Sequence, residues 1–206
     1  MRLVLIMLAF VLSSVAARAD TAIFAGGCFW CVESNFETVP GVGDVVSGYT
    51  GGSVKNPTYE DVTSETSGHY ESVKIPFDAG KVSYAELVRL FLHSTDVVDA
   101  GGQFCDRGES YRSAIFAMNA KQKAIAEEEI AKAEAALGKK IVTPVLSAQT
   151  FWKAEDYHQN YYKGDGYVLT RRGPKVQSAA YAFYRKSCGR DARVRELWGS
   201  SAAFAH

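Results

Sequence analysis

Two glycines, then a cysteine, then apolar residues at helical spacing: Gly26-Gly27-Cys28-Phe29-Trp30-Cys31-Val32-Glu33 constrains this chain more than any other stretch. Phe29, Val32, Phe36 and Val39 recur with the period of a helix, which predicts a helix opening here. Cys28 then stands at the helix N-terminus. Free backbone N–H groups and the positive end of the helix dipole favour a thiolate there. Most cysteines are buried and inert. The glycine pair and the adjoining Phe-Trp point instead to a reactive, approachable thiol.

Residues 1–19 read as a secretory signal. Arg2 supplies the charged start, Leu3 to Leu12 is an apolar run too short to span a bilayer, and Ala17-Arg18-Ala19 fits small-x-small cleavage. The chain left after cleavage, residues 20–206, reads as a single domain with 163–206 as a C-terminal tail wrapping the core. It carries 21 basic against 23 acidic side chains, a balance that argues against nucleic acid or a membrane surface as partner. The hydrophobic share, 47% of the 206 residues, suffices for a packed core.

Short strands are expected at Thr21 to Ala25, Val42 to Tyr49, Ser72 to Phe77, Tyr111 to Met118 and Ile141 to Leu146. Residues 51–68 read as loop. Ser83-Tyr84-Ala85-Glu86 reads as a capping box before Leu87, Leu90 and Phe91. Asn119 opens, and Gly138 stops, a helix over Ala120 to Leu137. Ala154 to Tyr162 reads as a short helix, and Tyr181 to Trp198 as partly helical. Strands and helices mix without strict alternation, which predicts an α+β domain with helices packed on a mostly antiparallel sheet.

Four cysteines, Cys28, Cys31, Cys105 and Cys188, follow the signal into an oxidising compartment, and three full pairings are open. Cys28 and Cys31 share one helix face within disulfide range, so a thioredoxin-like disulfide oxidoreductase is an alternative. Cys-x-x-Cys is also a zinc spacing, but the other two cysteines are isolated and complete no second half-site.

A thiol attacking an oxidised sulfur needs an acid to protonate the departing oxygen. Glu71, in Ser67-Gly68-His69-Tyr70-Glu71, is placed at a strand start among apolar and aromatic neighbours that would raise its pKa; His69 is the other candidate. Tyr49 and Tyr111, at strand ends beside glycine loops, can donate to a developing oxyanion. Asp106, in Cys105-Asp106-Arg107-Gly108, is a candidate for binding a substrate amide or orienting water.

Gly-Cys-Phe-Trp, Gly48-Tyr49-Thr50-Gly51-Gly52, Asn56-Pro57-Thr58-Tyr59, Ser67 to Glu71, Asp106 to Ile115 and Ala154 to Gln159 occur in the order found in A-type peptide methionine sulfoxide reductases, and the chain resembles that family from about Thr21 to Tyr162. The resemblance implies a two-layer sandwich with a ferredoxin-like core. It implies thiol-dependent reduction of methionine S-sulfoxide, free or in proteins, without metal or organic cofactor, by a monomer served by a thioredoxin-like electron donor. Cys28 matches the nucleophile and Glu71 the proton donor. Tyr49 and Tyr111 match the hydroxyls on the sulfoxide oxygen, Asp106 an acid lining the site, and Phe29 and Trp30 the walls around the substrate methyl group. Cys31 stands where many members carry Gly, and the tail lacks the family's glycine-rich ending. The candidates for the second thiol are Cys188, then Cys31, then Cys105.

Overall fold

The computed structural model describes residues 19–205; the predicted export signal lies outside them but for its last residue. β1 (Asp20–Gly26) leads into α1 (Phe29–Phe36), followed by β2 (Val46–Thr50), α2 (Tyr59–Thr63), β3 (Tyr70–Phe77) and α3 (Tyr84–Leu92). A short hairpin, β4 (Gly102–Gln103) and β5 (Asp106–Arg107), precedes β6 (Ser113–Ala117) and the long α4 (Ala120–Leu137). β7 (Val145–Ser147) and β8 (Trp152–Lys153) are brief. The tail is a hairpin, β9 (Tyr167–Thr170) and β10 (Gly173–Val176), then α5 (Gln177–Ser187) and α6 (Arg190–Trp198).

The main sheet runs β7-β6-β1-β3-β2-β8. Its inner four strands, β6-β1-β3-β2, pair antiparallel, and with α1 and α3 they form the split βαβ arrangement of a ferredoxin-like core. β7 joins β6 in parallel, which makes the sheet mixed. The expected α+β two-layer class is what the chain adopts.

Alternation along the strands divides the core. Ala22, Phe24, Val73, Ile75 and Ile115 face the helices, and Phe24 stacks on Phe91 of α3 at 4.8 Å between ring centres. Ile23, Ala25, Ala114 and Phe116 face the other way, under Leu146 and Phe151.

Several boundaries differ from expectation, each for a local reason. Val42 makes one bridge to Phe77 outside β2. Residues 51–68 contain α2, whose Thr58 and Asp61 form a complete capping box. At α3 only half a box forms: Ser83 accepts from the Glu86 N–H, while the Glu86 carboxylate is taken by Arg89. Of Ile141 to Leu146, only the last two residues lie in β7. Ala154 to Tyr162 is no α-helix; 3₁₀ turns at Asp156–His158 and Tyr161–Lys163 take its place, separated by Asn160 at φ 55°. Asn119 and Gly138 cap α4 as predicted.

Candidate active site

The strand-to-helix turn needs its glycines. Gly27 sits at φ +77°, where a Cβ would lie 2.5 Å from the buried Gln103 side chain. Cys28 is the N-cap of α1, and its carbonyl accepts the Cys31 N–H at 3.0 Å. No side chain of the helix caps this end. Its first amide, Phe29 N–H, donates instead to Glu71 Oε2 at 3.0 Å.

Glu71 reaches that amide because β3 pairs with β2 in the register that sets Tyr49 opposite Glu71. The carboxyl is buried, and burial pushes its pKa up to about 8 against the pull of the Phe29 hydrogen bond. It keeps its proton at neutral pH.

Around these two groups lies a cavity of about 80 Å³ walled by Cys28, Phe29, Trp30, Tyr59, Glu71, Asp106, Tyr111 and Tyr184. Tyr59 and Tyr111 are hydrogen-bonded to each other; burial raises Tyr59 to about 12 and raises Tyr111 further, so both keep their protons. Trp30 is held flat by Tyr161, stacked at 3.8 Å, and its indole N–H donates to Nδ1 of buried His158 at 3.1 Å. Asp106 accepts from the Tyr184 hydroxyl, and burial raises its pKa. A larger cleft of about 490 Å³ lies elsewhere, between Gly52, Val54, Gln149 and Trp152, and no thiol or carboxyl lines it.

Cys28 and Cys31 are both free thiols and both buried. Burial pushes Cys28 up. Cys31 is lowered to about 6, chiefly by its hydrogen bond with Cys28 and then by the guanidinium groups of Arg190 and Arg185. The helix end was expected to ionise Cys28; Cys31 is the thiol drawn down instead, first by its hydrogen bond with Cys28 and then by the positive charge of Arg190 and Arg185. Cys31 is thereby placed to take the Cys28 proton. Cys105 and Cys188 are joined in a disulfide.

Residues 20–188 match the peptide methionine sulfoxide reductase family. The chain belongs to that family. Peptide methionine sulfoxide reductase MsrA 2 of Rhizobium meliloti (strain 1021) is 51% identical over 187 residues, covering 91% of this chain and 87% of the relative. The MsrA of Bacillus subtilis (strain 168) is 46% identical over 188 residues, covering 90% and 99%. The solved methionine sulfoxide reductase A of Corynebacterium diphtheriae superposes with a TM-score of 0.64 at 30% identity, over 76% of this chain and 80% of that one.

Within this member of the reductase family, the structure gathers Cys28, Phe29, Trp30, Glu71, Asp106 and Tyr111 in one pocket. Tyr49 is not in it. Its hydroxyl donates to Glu155 Oε2 at 2.9 Å, and the phenol that lines the pocket is Tyr59. The two are linked, since Glu155 Oε1 accepts the Tyr59 backbone N–H at 2.8 Å. Tyr49 thus fixes the carboxylate that fixes Tyr59. His69 lies away from the cavity, with Nδ1 accepting from the Gly52 N–H and Nε2 bonded to the Val54 carbonyl oxygen.

Tyr59 was within reach of the sequence, in Asn56-Pro57-Thr58-Tyr59, where the Thr58–Asp61 box signals a helix start that aims its first side chain. Tyr184, from the tail, had no such signal. Of the second-thiol candidates, Cys188, ranked first, is bonded to Cys105, and the thiol that faces Cys28 is Cys31.

Proposed function

We propose that this chain reduces methionine S-sulfoxide, free and in proteins, to methionine. One observation carries the reading: a free thiol and a protonated carboxyl share an aromatic-walled pocket, tied together through the Phe29 amide. Phe29 and Trp30 hold the S-methyl group. The Tyr59 and Tyr111 hydroxyls donate to the sulfoxide oxygen. Cys31 draws the proton from Cys28, the Cys28 sulfur attacks the sulfoxide sulfur, and Glu71 delivers a proton to the oxygen. Methionine leaves and Cys28 is left as the sulfenic acid. Cys31 condenses with it, releasing water and forming a Cys28–Cys31 disulfide. A thioredoxin-like dithiol restores the thiols.

Burial speaks against the alternative, a disulfide oxidoreductase acting directly through Cys28 and Cys31. Such an enzyme must present a sulfur to another protein's disulfide, and Cys31 is 1% exposed. The charged start, apolar run and Ala17-Arg18-Ala19 of residues 1–19 support export to the periplasm or beyond with cleavage near Asp20. Among the described residues no helix is long and apolar enough to cross a membrane.

The test is turnover of resolved dabsyl-methionine sulfoxide epimers with dithiothreitol. Methionine from the S epimer alone is expected; insulin-disulfide reduction without sulfoxide turnover would replace the proposal with its alternative.

A further inference from the structure

Arg190 is a buried cation that the chemistry above leaves without a task of its own. It is the first residue of α6 and 3% exposed. A cation at a helix N-terminus opposes the helix dipole, and burying one strips its water. The chain places it there all the same. Gly189, at φ +69°, turns the backbone between α5 and α6, and the Arg190 side chain reaches the end of β1. Its Nη2 donates to the Gly26 carbonyl at 2.9 Å and its Nη1 to the Ser94 carbonyl at 3.3 Å. The centre of the Phe104 ring lies 4.2 Å from its guanidinium carbon. A Cβ on Gly27, the residue before Cys28, would stand 3.5 Å from the same Nη2. A guanidinium from the tail is thus seated against the turn that presents Cys28.

Carbonyls and a ring supply no full negative charge. A buried charge left without a counter-charge is costly. Arg185, the other cation near the cysteine pair, has one in Asp191, whose Oδ1 lies 2.7 Å from its Nη2. Among the described residues Arg190 has no carboxylate in ion-pair contact; its partners are the two carbonyls. Asp106 feels its charge but accepts the Tyr184 hydroxyl. What remains is the cysteine pair, and Cys31 feels Arg190 more than Arg185. Other groups face the pair as well. Glu71 of β3 and Asp106 of β5 oppose ionisation of Cys28. Tyr181 and Tyr184 of α5, Tyr59 of α2 and Tyr161 are raised by burial and keep their protons. The cations that favour a thiolate come from the tail.

We propose that Arg190 is a positioning residue for the reaction: a fixed cation, carried by the tail to the strand-to-helix turn, whose counter-charge is the single thiolate held by the Cys28–Cys31 pair. Its bonds to the Gly26 and Ser94 carbonyls set its place, so the charge is in position before substrate arrives. The tail beyond Cys188 then does more than cover the pocket; it supplies the field that keeps a nucleophile available. The consequence for turnover rests on the sulfoxide-reductase reading, and the consequence for the thiols does not.

The experiment uses the full chain with Cys105–Cys188 oxidised, which leaves Cys28 and Cys31 as the free thiols. Ultraviolet thiolate absorbance is followed against pH. The wild type should show its first ionisation near pH 6. Arg190→Gln should move that midpoint up by roughly one pH unit, and Arg190→Lys, which keeps the charge, should restore most of the difference. The rising limb of kcat/KM for methionine S-sulfoxide should move with it. A purely structural defect would lower Tm or kcat and leave both midpoints where they were. Phe104→Glu serves if Arg190→Gln does not fold: Arg190 stays in place, gains a carboxylate beside it, and the thiolate midpoint should again rise. A midpoint unchanged in Arg190→Gln, or in Phe104→Glu where that variant must serve, would overturn the proposal. Wild type that titrates as expected yet forms no methionine would contradict the sulfoxide-reductase reading and leave the role of Arg190 standing.

Discussion

Glu71 Oε2 lies 3.0 Å from the backbone nitrogen of Phe29, the residue directly after Cys28, the proposed nucleophile. The acid is thus indexed to the helix end that carries the sulfur, and it lines the same cavity as Cys28. Burial keeps that proton on Glu71 up to a pH of about 8.

Glu71→Gln is expected to slow sulfoxide reduction by roughly 10²- to 10⁴-fold, the usual worth of a positioned acid. In the wild type, kcat/KM should rise as the Cys28–Cys31 pair loses its first proton near pH 6 and fall as Glu71 ionises near pH 8. The Gln variant should lose the falling limb. Stability carries the same signature. The folded chain keeps a proton that the unfolded chain gives up near the ordinary glutamate value, so this contribution is full below that value and is lost as pH rises through about 8. Urea titrations from pH 5 to 9 should show a shallower decline for Glu71→Gln.

The three tyrosines should separate by kinetics. Tyr59→Phe and Tyr111→Phe each remove a hydroxyl from the pocket wall. A hydrogen bond to a charged acceptor is worth about 1.5–3 kcal/mol, so each should lower kcat by roughly 10- to 100-fold. Tyr49→Phe leaves both of those hydroxyls in place and unties Glu155. Its main effect should be a lower Tm, with a smaller loss of kcat through a less firmly held Tyr59.

Much of this is legible in the sequence. Helix period and the glycine pair located α1 and its cysteine, alternation located β3, and that alternation turned Glu71, Val73 and Ile75 to one side. The Tyr49 assignment failed because both tyrosines stand beside the same glycine-rich loop. Which hydroxyl enters the pocket depends on Glu155, more than 90 residues downstream of either. The charge on Cys31 was equally hidden, since Arg185 and Arg190 come from the tail and no local pattern places them over α1. The brief strand β8 exists by pairing with the sheet edge at β2, which its short apolar run does not announce.

Glu33 tests the joint between α1 and the segment leading into the tail. Fully buried, it accepts from Ser47 Oγ at 2.7 Å and from the Asn160 N–H at 2.7 Å, and burial raises its pKa to about 6. Glu33→Ala strands both donors and should cost about 1–3 kcal/mol for each donor left unpaired. Chemical denaturation measures it. Since residues 161–163 carry Tyr161 against Trp30, KM should rise together with the stability loss.

The central claim is that oxidation lands on Cys28 and that Cys31 is the first thiol to meet it. Cys31→Ser, pre-reduced, should form methionine from the S epimer while leaving a sulfenic acid that dimedone captures. Mass spectrometry of the peptide holding residue 28 then reads the result directly. A dimedone adduct on Cys28 in this variant, absent from the wild type under the same quench, is the outcome expected. Methionine formed with Cys28 unmodified, or an adduct on Cys105 or Cys188 instead, would contradict it.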